Sequence, residues 1–254
     1  SLRSKYFMNG VDSEGNDALS PLGDSPDNNN ALVVLDYLFS TIYGGAVPLA
    51  DISLPHIIDA ANYCDALAPT YSGGPTQAQM ACNLVIGTDK TLKENLEKIL
   101  ATCRGKLAWV DGQYQLHIFK AGDVVQGELI PGVIMTRKSV SFGKRKNRLN
   151  RVVATYIETN VGYESRQIVF PEEGSAEDAQ WRVVEDKEVL NEKEITLDGC
   201  TNAYQAADLV ATLIKESRAS IEVGYVCTLE ALEYTVGDIV RVDDPDGLWT
   251  QKLF

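Results

Sequence analysis

The sequence predicts an α+β protein, in which a small α/β domain with a helical pair is followed by an antiparallel β-barrel that carries one helix. Before residue 123, helix-like and strand-like apolar periods alternate, whereas the later residues form short β-branched segments between polar or glycine turns. With 254 residues, 44% of them hydrophobic, the chain can bury a substantial core. We therefore expect a polar segment ending an upstream β region at 1–29, an α+β domain at 30–122 and the barrel at 123–254.

The helical pair comes first along the α+β domain. Apolar residues at three- and four-residue steps predict one stripe on the first helix: Leu32, Leu35, Phe39 and Ile42. Asn30 or a neighbour can cap this helix, and Gly44-Gly45 can end it. Ser53 is the expected cap of the second helix, with Pro55 in its first turn. Its expected buried side is Leu54, Ile57, Ile58 and Ala61.

A strand, a third helix and a hairpin complete the predicted α+β domain. Residues 80–87 suggest a strand, and Thr91 with Glu94 forms a capping-box pattern that starts the helix. The hairpin joins 106–110 to 113–119 through Asp111-Gly112, because Asp-Gly supplies the positive φ angles of a tight turn. His117 falls on the outward, polar side of that hairpin, so we expect it to be solvated.

The predicted barrel consists of short segments rich in β-branched residues. These segments are 133–142, 151–158, 165–170, 181–185, 192–197, 220–233 and 238–242. One helix at 203–217 interrupts them, and we expect it to plug or flank the barrel. The acidic stretch 171–180 has no apolar period and is expected to be a loop.

Several of these segments resemble one protein family through their order and spacing. The first set comprises Asn30-Ala31-Leu32, Leu35-Asp36-Tyr37-Leu38, Tyr43-Gly44 and residues 60–65 (AANYCD); later come residues 150–156 (NRVVATY) and 236–242 (VGDIVRV). They are similar to the tip attachment, or host-specificity, proteins of lambda-like phages, which share a fold with phage baseplate hubs. The likeness covers roughly residues 28–244.

The resemblance implies a structural role in a virion tail. Such hubs form a homotrimeric ring at the distal end of the tail, which docks onto the distal tail protein ring. The ring encloses a channel that holds the end of the tape-measure protein, and further tail-tip proteins follow. DNA only passes through, and assembly takes place in the host bacterial cytoplasm. For this stretch of chain, the resemblance favours ring assembly over receptor binding.

Charge separates one short segment from the rest of the chain. The net charge of −13 argues against a protein that holds nucleic acid, because phosphate binding needs cations. Five basic residues nevertheless fall within 144–151: Lys144, Arg145, Lys146, Arg148 and Arg151. The remaining chain has 18 basic against 36 acidic residues. We expect this basic loop to contact an acidic surface of a neighbouring subunit, with nucleic-acid contact or a solvated loop as alternatives.

Catalytic, metal and membrane signatures are sparse. The sequence has no G-x-S-x-G, H-E-x-x-H or phosphate-binding glycine loop, so no enzyme activity and no cofactor are expected. Residues 12–17 lack the spacing of a calcium loop. The five cysteines lack zinc spacing and are expected to be reduced and mostly buried. The longest apolar run, 31–35, is too short for a membrane span.

Two other function classes stay open. A peptidoglycan- or polysaccharide-cleaving tail enzyme could use the acidic cluster at 243–246, although Pro245 and Gly247 suggest a turn there. The other alternative is a free-standing small-molecule binding module. An enzyme would show two facing carboxylates in a cleft, whereas a hub would expose apolar or charged side chains that sister subunits cover.

Overall fold

The computed structural model describes residues 6–11, 17–21, 28–69, 76–87, 89–120, 125–159, 162–219, 221–244 and 249–253. The chain separates into two compact units. Unit 1 comprises Ser1–Ile118 and Leu149–Lys215, and unit 2 comprises Phe119–Arg148 and Glu216–Phe254. The first crossing between units therefore lies close to residue 122, and the segment 149–215 returns to the unit that contains the N-terminal helices.

The regular elements are as follows. The helices are α1 (Asn30–Phe39), α2 (Leu54–Asp65), α3 (Leu92–Ala101), α4 (Ala176–Asp178) and α5 (Ala203–Arg218). The strands are β1 (Tyr6–Val11), β2 (Asp17–Pro21), β3 (Leu67–Pro69), β4 (Thr76–Ala78), β5 (Gly105–Val110), β6 (Gln113–Ile118), β7 (Val125–Leu129), β8 (Ile134–Phe142), β9 (Arg151–Glu158), β10 (Glu164–Phe170), β11 (Glu192–Thr196), β12 (Ile221–Cys227), β13 (Ile239–Asp244) and β14 (Trp249–Leu253). A π-helical turn spans Ala179–Glu185, and 3-10 turns span Leu49–Asp51, Arg145–Asn147 and Leu229–Glu233.

Helix α1 is the central helix of unit 1. Every residue from Asn30 to Leu38 is buried, including the polar Asn30 and Asp36, so the helix is enclosed on all sides. The predicted single stripe is therefore wrong at its C-terminal end. Phe39 is 39% exposed and Ile42, beyond the helix, is 84% exposed. The cap is Asn29, whose side chain accepts from the Ala31 amide at 3.0 Å.

Helix α2 packs against α1 and lies near β6 in the main core. Its buried side is Ile57, Ala60, Ala61 and Cys64, while Ile58 is only partly buried. Ser53 occupies the cap position, but its hydroxyl does not cap an amide. It is hydrogen-bonded to Nδ1 of His56 at 2.8 Å instead.

The prediction of a strand at 80–87 is wrong. The strand in this region is β4, which pairs with β3, and the residues after it run without a ladder. Met80, Ala81, Cys82 and Leu84 are nevertheless buried. The side-chain amide of Gln205 donates to the Ala81 carbonyl at 2.9 Å and the Thr102 carbonyl at 2.7 Å. A buried side chain from α5 thus makes backbone hydrogen bonds that a neighbouring strand would otherwise make.

Two local predictions in unit 1 are confirmed. Thr91 and Glu94 form a reciprocal capping box at the start of α3. Strands β5 and β6 form the expected hairpin, with Asp111 at φ 52° and Gly112 at φ 79°. His117, by contrast, does not simply face solvent, because its ring lies 5.1 Å from that of His56.

A second layer of unit 1 consists of α5 and the sheet β10-β9-β11. Strand β9 pairs antiparallel with β10 and parallel with β11. Val152 and Ala154 of β9 are fully buried with Val210 and Ile214 of α5. These strands were predicted to form part of a barrel, but they form a separate sheet covered by a helix.

Unit 2 holds two small sheets. One is the antiparallel pair β12-β8, and the other is β14-β13-β7, in which β13 and β7 are parallel. The predicted antiparallel barrel is therefore wrong: no closed barrel is present in the described residues. The segment 220–233 also divides, because β12 ends at Cys227 and a 3-10 turn follows at Leu229–Glu233.

None of the helices within the described ranges has the length and hydropathy needed to cross a membrane.

Candidate assembly surfaces

Unit 2 exposes much of its apolar side-chain surface. In the described part of this unit, only Val133 and Val242 are buried apolar residues. The exposed ones include Met135 (68%), Phe142 (70%), Leu229 (82%), Leu232 (77%) and Val236 (63%). The hydrophobic clusters of the described chain all lie in unit 1. Large apolar side chains exposed in this number are typical of surfaces that contact other proteins.

In the acidic cluster at 243–246, Asp243 is partly buried and the next residue, Asp244, has a structural role. The Asp244 carboxylate is buried and accepts from the Tyr225 hydroxyl at 3.1 Å and from Nη1 of Arg137 at 3.4 Å. Burial, followed by the hydrogen bond to Asp244, raises the pKa of Tyr225 to about 12. Pro245 and Asp246 lie outside the described residues. Asp244 is thus an acceptor that joins β13 to the β12-β8 pair.

The predicted basic loop is divided between the two units. Lys144 and Lys146 are exposed around the 3-10 turn, and Arg148 is partly buried, all in unit 2. The Arg145 side chain lies outside the described residues. Arg151 begins β9 in unit 1, where its guanidinium lies 3.6 Å from Glu173 and 3.7 Å from Glu192. Arg151 therefore has ion-pair partners within its own unit.

The structure shows one exposed apolar segment that the sequence did not predict. Residues 183–190, here called the valine patch, carry four exposed aliphatic side chains: Val183 (42%), Val184 (66%), Val189 (61%) and Leu190 (50%). The segment 181–185 was predicted to be a strand because of its adjacent valines, but it is part of the π-helical turn. The sequence does contain a signal for a helix start here, because Ser175 is a typical N-cap residue. Its hydroxyl accepts from the Asp178 amide at 3.2 Å.

Buried polar groups hold the valine patch in place. Asn150 is fully buried and donates to Asp186 at 3.0 Å and to the Val189 carbonyl at 2.7 Å. Its oxygen accepts from the Asn191 amide at 2.8 Å. Lys187 and Glu188 have positive φ angles of 54° and 64°. Non-glycine residues rarely adopt this left-handed conformation unless the surrounding structure imposes it.

A two-point ion pair fixes the start of the same segment. Nε and Nη2 of Arg182 each donate to the Asp178 carboxylate at 2.8 Å, and the Gly174 amide donates at 3.1 Å. The hydrogen bond from Arg182, with that from Gly174, lowers the pKa of Asp178 to about 2. Such bidentate pairs have a defined geometry as well as a favourable energy.

The cysteines are confirmed as free thiols. Cys64, Cys82, Cys103 and Cys200 are buried, and Cys227 is partly buried. Burial raises the pKa of Cys64 to about 12, so this thiol stays protonated and unreactive. Within the described ranges, no group of three or more His, Cys, Asp or Glu side chains is placed to hold a metal ion.

Comparison with known proteins identifies the class: this is a phage tail protein. The chain belongs to the Phage-tail_3 family, described as "Putative phage tail protein", whose model matches residues 91–252. The resemblance to tip attachment proteins is also confirmed. "Tip attachment protein J" of Escherichia phage SECphi27 is 23% identical over 223 residues, covering 85% of this chain. The match spans only 18% of that relative's length.

The fold is shared with a solved structure of a gene transfer agent particle. A chain in the structure titled "Virion of native gene transfer agent (GTA) particle" is similar with a TM-score of 0.54 and 17% identity, over 85% of this chain and 42% of that one. The 43 kDa tail protein of prophage MuSo2 from Shewanella oneidensis is similar at a TM-score of 0.40 and 16% identity, over 67% of this chain and 49% of that one.

Proposed function

We propose that this chain is a non-enzymatic structural component of a tail tip, where it forms a homotrimeric central hub. The hub closes the tail tube and connects it to the host-recognition apparatus. Its partners are the distal tail protein ring, the tape-measure protein and further tail-tip proteins, and DNA contacts it only in passage. Assembly takes place in the host bacterial cytoplasm.

The observation that supports this proposal most strongly is the exposed apolar surface of unit 2. A unit of about 70 residues needs to bury a large part of its apolar surface to be stable alone. Unit 2 instead leaves Phe142, Leu229 and Leu232 at least 70% exposed. Neighbouring copies in a ring would cover these side chains and supply the missing burial.

The enzyme alternative has little support in the described residues. Within the acidic cluster at 243–246, the Asp244 carboxylate is buried and hydrogen-bonded to Tyr225 and Arg137. A general acid or base needs access to a substrate, and a carboxylate engaged in this way lacks it. The family relationship to tail proteins favours the structural role over both the enzyme and the small-molecule module.

The experiment is to place a charge on the exposed apolar surface. We expect the double variant Leu229→Asp/Leu232→Asp to fold, because both side chains are more than three-quarters exposed, but to be absent from assembled tails. The control is Ile42→Asp, an 84% exposed apolar residue in unit 1. Immunogold labelling and mass spectrometry of purified tails measure position and copy number. Normal incorporation of the double variant would contradict the assembly role of this surface.

A further inference from the structure

The valine patch combines apolar exposure with rigid anchoring. Four aliphatic side chains are exposed within eight residues, yet buried Asn150 and the Asp178–Arg182 pair hold the backbone that carries them. Lys187 and Glu188 are consecutive non-glycine residues with positive φ, a conformation that persists only where the surrounding structure fixes it. Rigid presentation lowers the entropy lost on binding, so the segment is suited to receive another protein surface.

The electrostatic surroundings of the patch are acidic. Residues 172–194 contain nine Asp and Glu against three Lys and Arg. One of the three, Arg182, is paired with Asp178. Glu188 lies within the patch and is exposed, as are Glu172, Glu173 and Glu192 on either side of it in the sequence. Glu173 and Glu192 lie 3.6 and 3.7 Å from the Arg151 guanidinium, so one cation already partly neutralises these two carboxylates. A partner that combines an apolar anchor with positive charge would therefore complement this surface.

The chain itself contains a segment with those properties. Phe142, at the end of β8, is 70% exposed. Exposed Lys144 follows two residues later, just before the 3-10 turn, and exposed Lys146 lies within that turn. An exposed aromatic side chain is a common anchor of protein interfaces. Lysine stems can cover apolar surface while their ammonium groups reach carboxylates.

We propose that the valine patch of one copy receives residues 142–148 of the next copy. This inference rests on the proposed hub function and names the two surfaces that meet. Because the donor and acceptor surfaces differ, the contact is heterologous, and repetition of a heterologous contact closes into a ring when the rotation permits. Phe142 packs on the valine side chains, and the lysines pair with the surrounding carboxylates.

Charge reversal on both sides tests the pairing. Lys144→Glu/Lys146→Glu and, separately, Glu185→Lys/Glu188→Lys should each lower incorporation into tails by about tenfold or more, as expected for losing complementary interface charges. Combining all four changes should restore incorporation substantially, since the charges are exchanged. The control Lys90→Glu/Lys93→Glu makes the same change in net charge at two exposed lysines of unit 1 and should have no effect.

A matched pair of valine variants tests the apolar part of the proposed contact. Val184→Asp should block incorporation, whereas Val85→Asp, at an 86% exposed valine outside the patch, should not. Thermal unfolding of each purified variant verifies that it folds. Phe142→Ala should weaken assembly in the same way as Val184→Asp.

The outcomes separate this inference from the hub function. If trimers form in tails but Val184→Asp and the reversals leave them intact, the valine patch is not the interface, while the hub function stands. If the lysine reversal leaves tails normal and only DNA passage fails, the turn contacts nucleic acid and the inference is overturned. If tails contain no trimer at all, the proposed function itself fails.

Discussion

The burial of Ile57 provides a quantitative test of the packed helical pair. Ile57 is fully buried in the main core, at 0% exposure. Replacing it by Ala removes three carbons, worth roughly 2.4 kcal/mol at about 0.8 kcal/mol per buried methylene. The cavity left behind brings the expected loss to about 2–5 kcal/mol in the free energy of unfolding. For a unit of this size, that corresponds to a decrease in melting temperature of about 4–20 °C.

The assay is thermal unfolding followed by helical circular dichroism, since α1, α2 and α3 all lie in unit 1. Ile42→Ala is the matched control, because it deletes the same atoms from a side chain that is 84% exposed. Its expected effect is within about 0.5 kcal/mol. Leu35→Ala, also buried, should behave like Ile57→Ala. If Ile57→Ala and Ile42→Ala melt within a degree of each other, the packing described for α2 is wrong.

Three further predictions concern a cap, a carboxylate and the thiols. Thr91→Ala removes the α3 capping box and should cost about 0.5–2 kcal/mol in thermal unfolding, with exposed Thr196→Ala unchanged as the control. Because the pKa of Asp178 is depressed from 3.8 to about 2, its contribution to stability is present above pH 3.8 and is lost as the pH falls toward 2. Asp178→Asn should therefore be less stable than the parent at neutral pH, and the difference should shrink in acid; a constant difference across that range would refute the ion pair. In native protein a thiol reagent should label Cys227 first, and mass mapping that finds buried Cys64 or Cys103 labelled equally fast would contradict their burial.

The elements that the sequence predicted well are those set by neighbouring residues. The Thr91–Glu94 box and the Asp111-Gly112 turn depend on contacts three residues apart or fewer, so their residue types suffice. Helix α5 was also predicted, with bounds of 203–217 against the observed Ala203–Arg218. In each case local propensity and tertiary packing favour the same structure.

The wrong predictions concern segments whose structure depends on contacts with residues distant in the sequence. The segment 80–87 resembles a strand, but Gln205, more than a hundred residues away, occupies part of its hydrogen-bonding position. The barrel prediction failed because β9 pairs with β10 and β11 under α5 rather than with the strands of unit 2. Side-chain periodicity indicates a strand but does not specify its partner.

Of the two candidate surfaces, the basic segment could be predicted from the sequence and the valine patch could not. The basic residues 144–148 are visible in the sequence because charge needs no fold to be recognised. The valine patch is not, because adjacent valines favour a strand. Its observed conformation depends on Asn150, whose side chain contacts residues 36 to 41 positions later. Arg151 was grouped with the basic loop, but its intramolecular ion pairs follow from the position of β9.

The copy number of this chain in assembled tails decides whether it forms a trimeric hub. Native mass spectrometry of purified tail tips, or cryo-electron microscopy of the same tips, determines both the number of copies and their symmetry. We expect three copies arranged as a ring at the distal end of the tail tube. A single copy, or a strict two-fold dimer at that position, would contradict it.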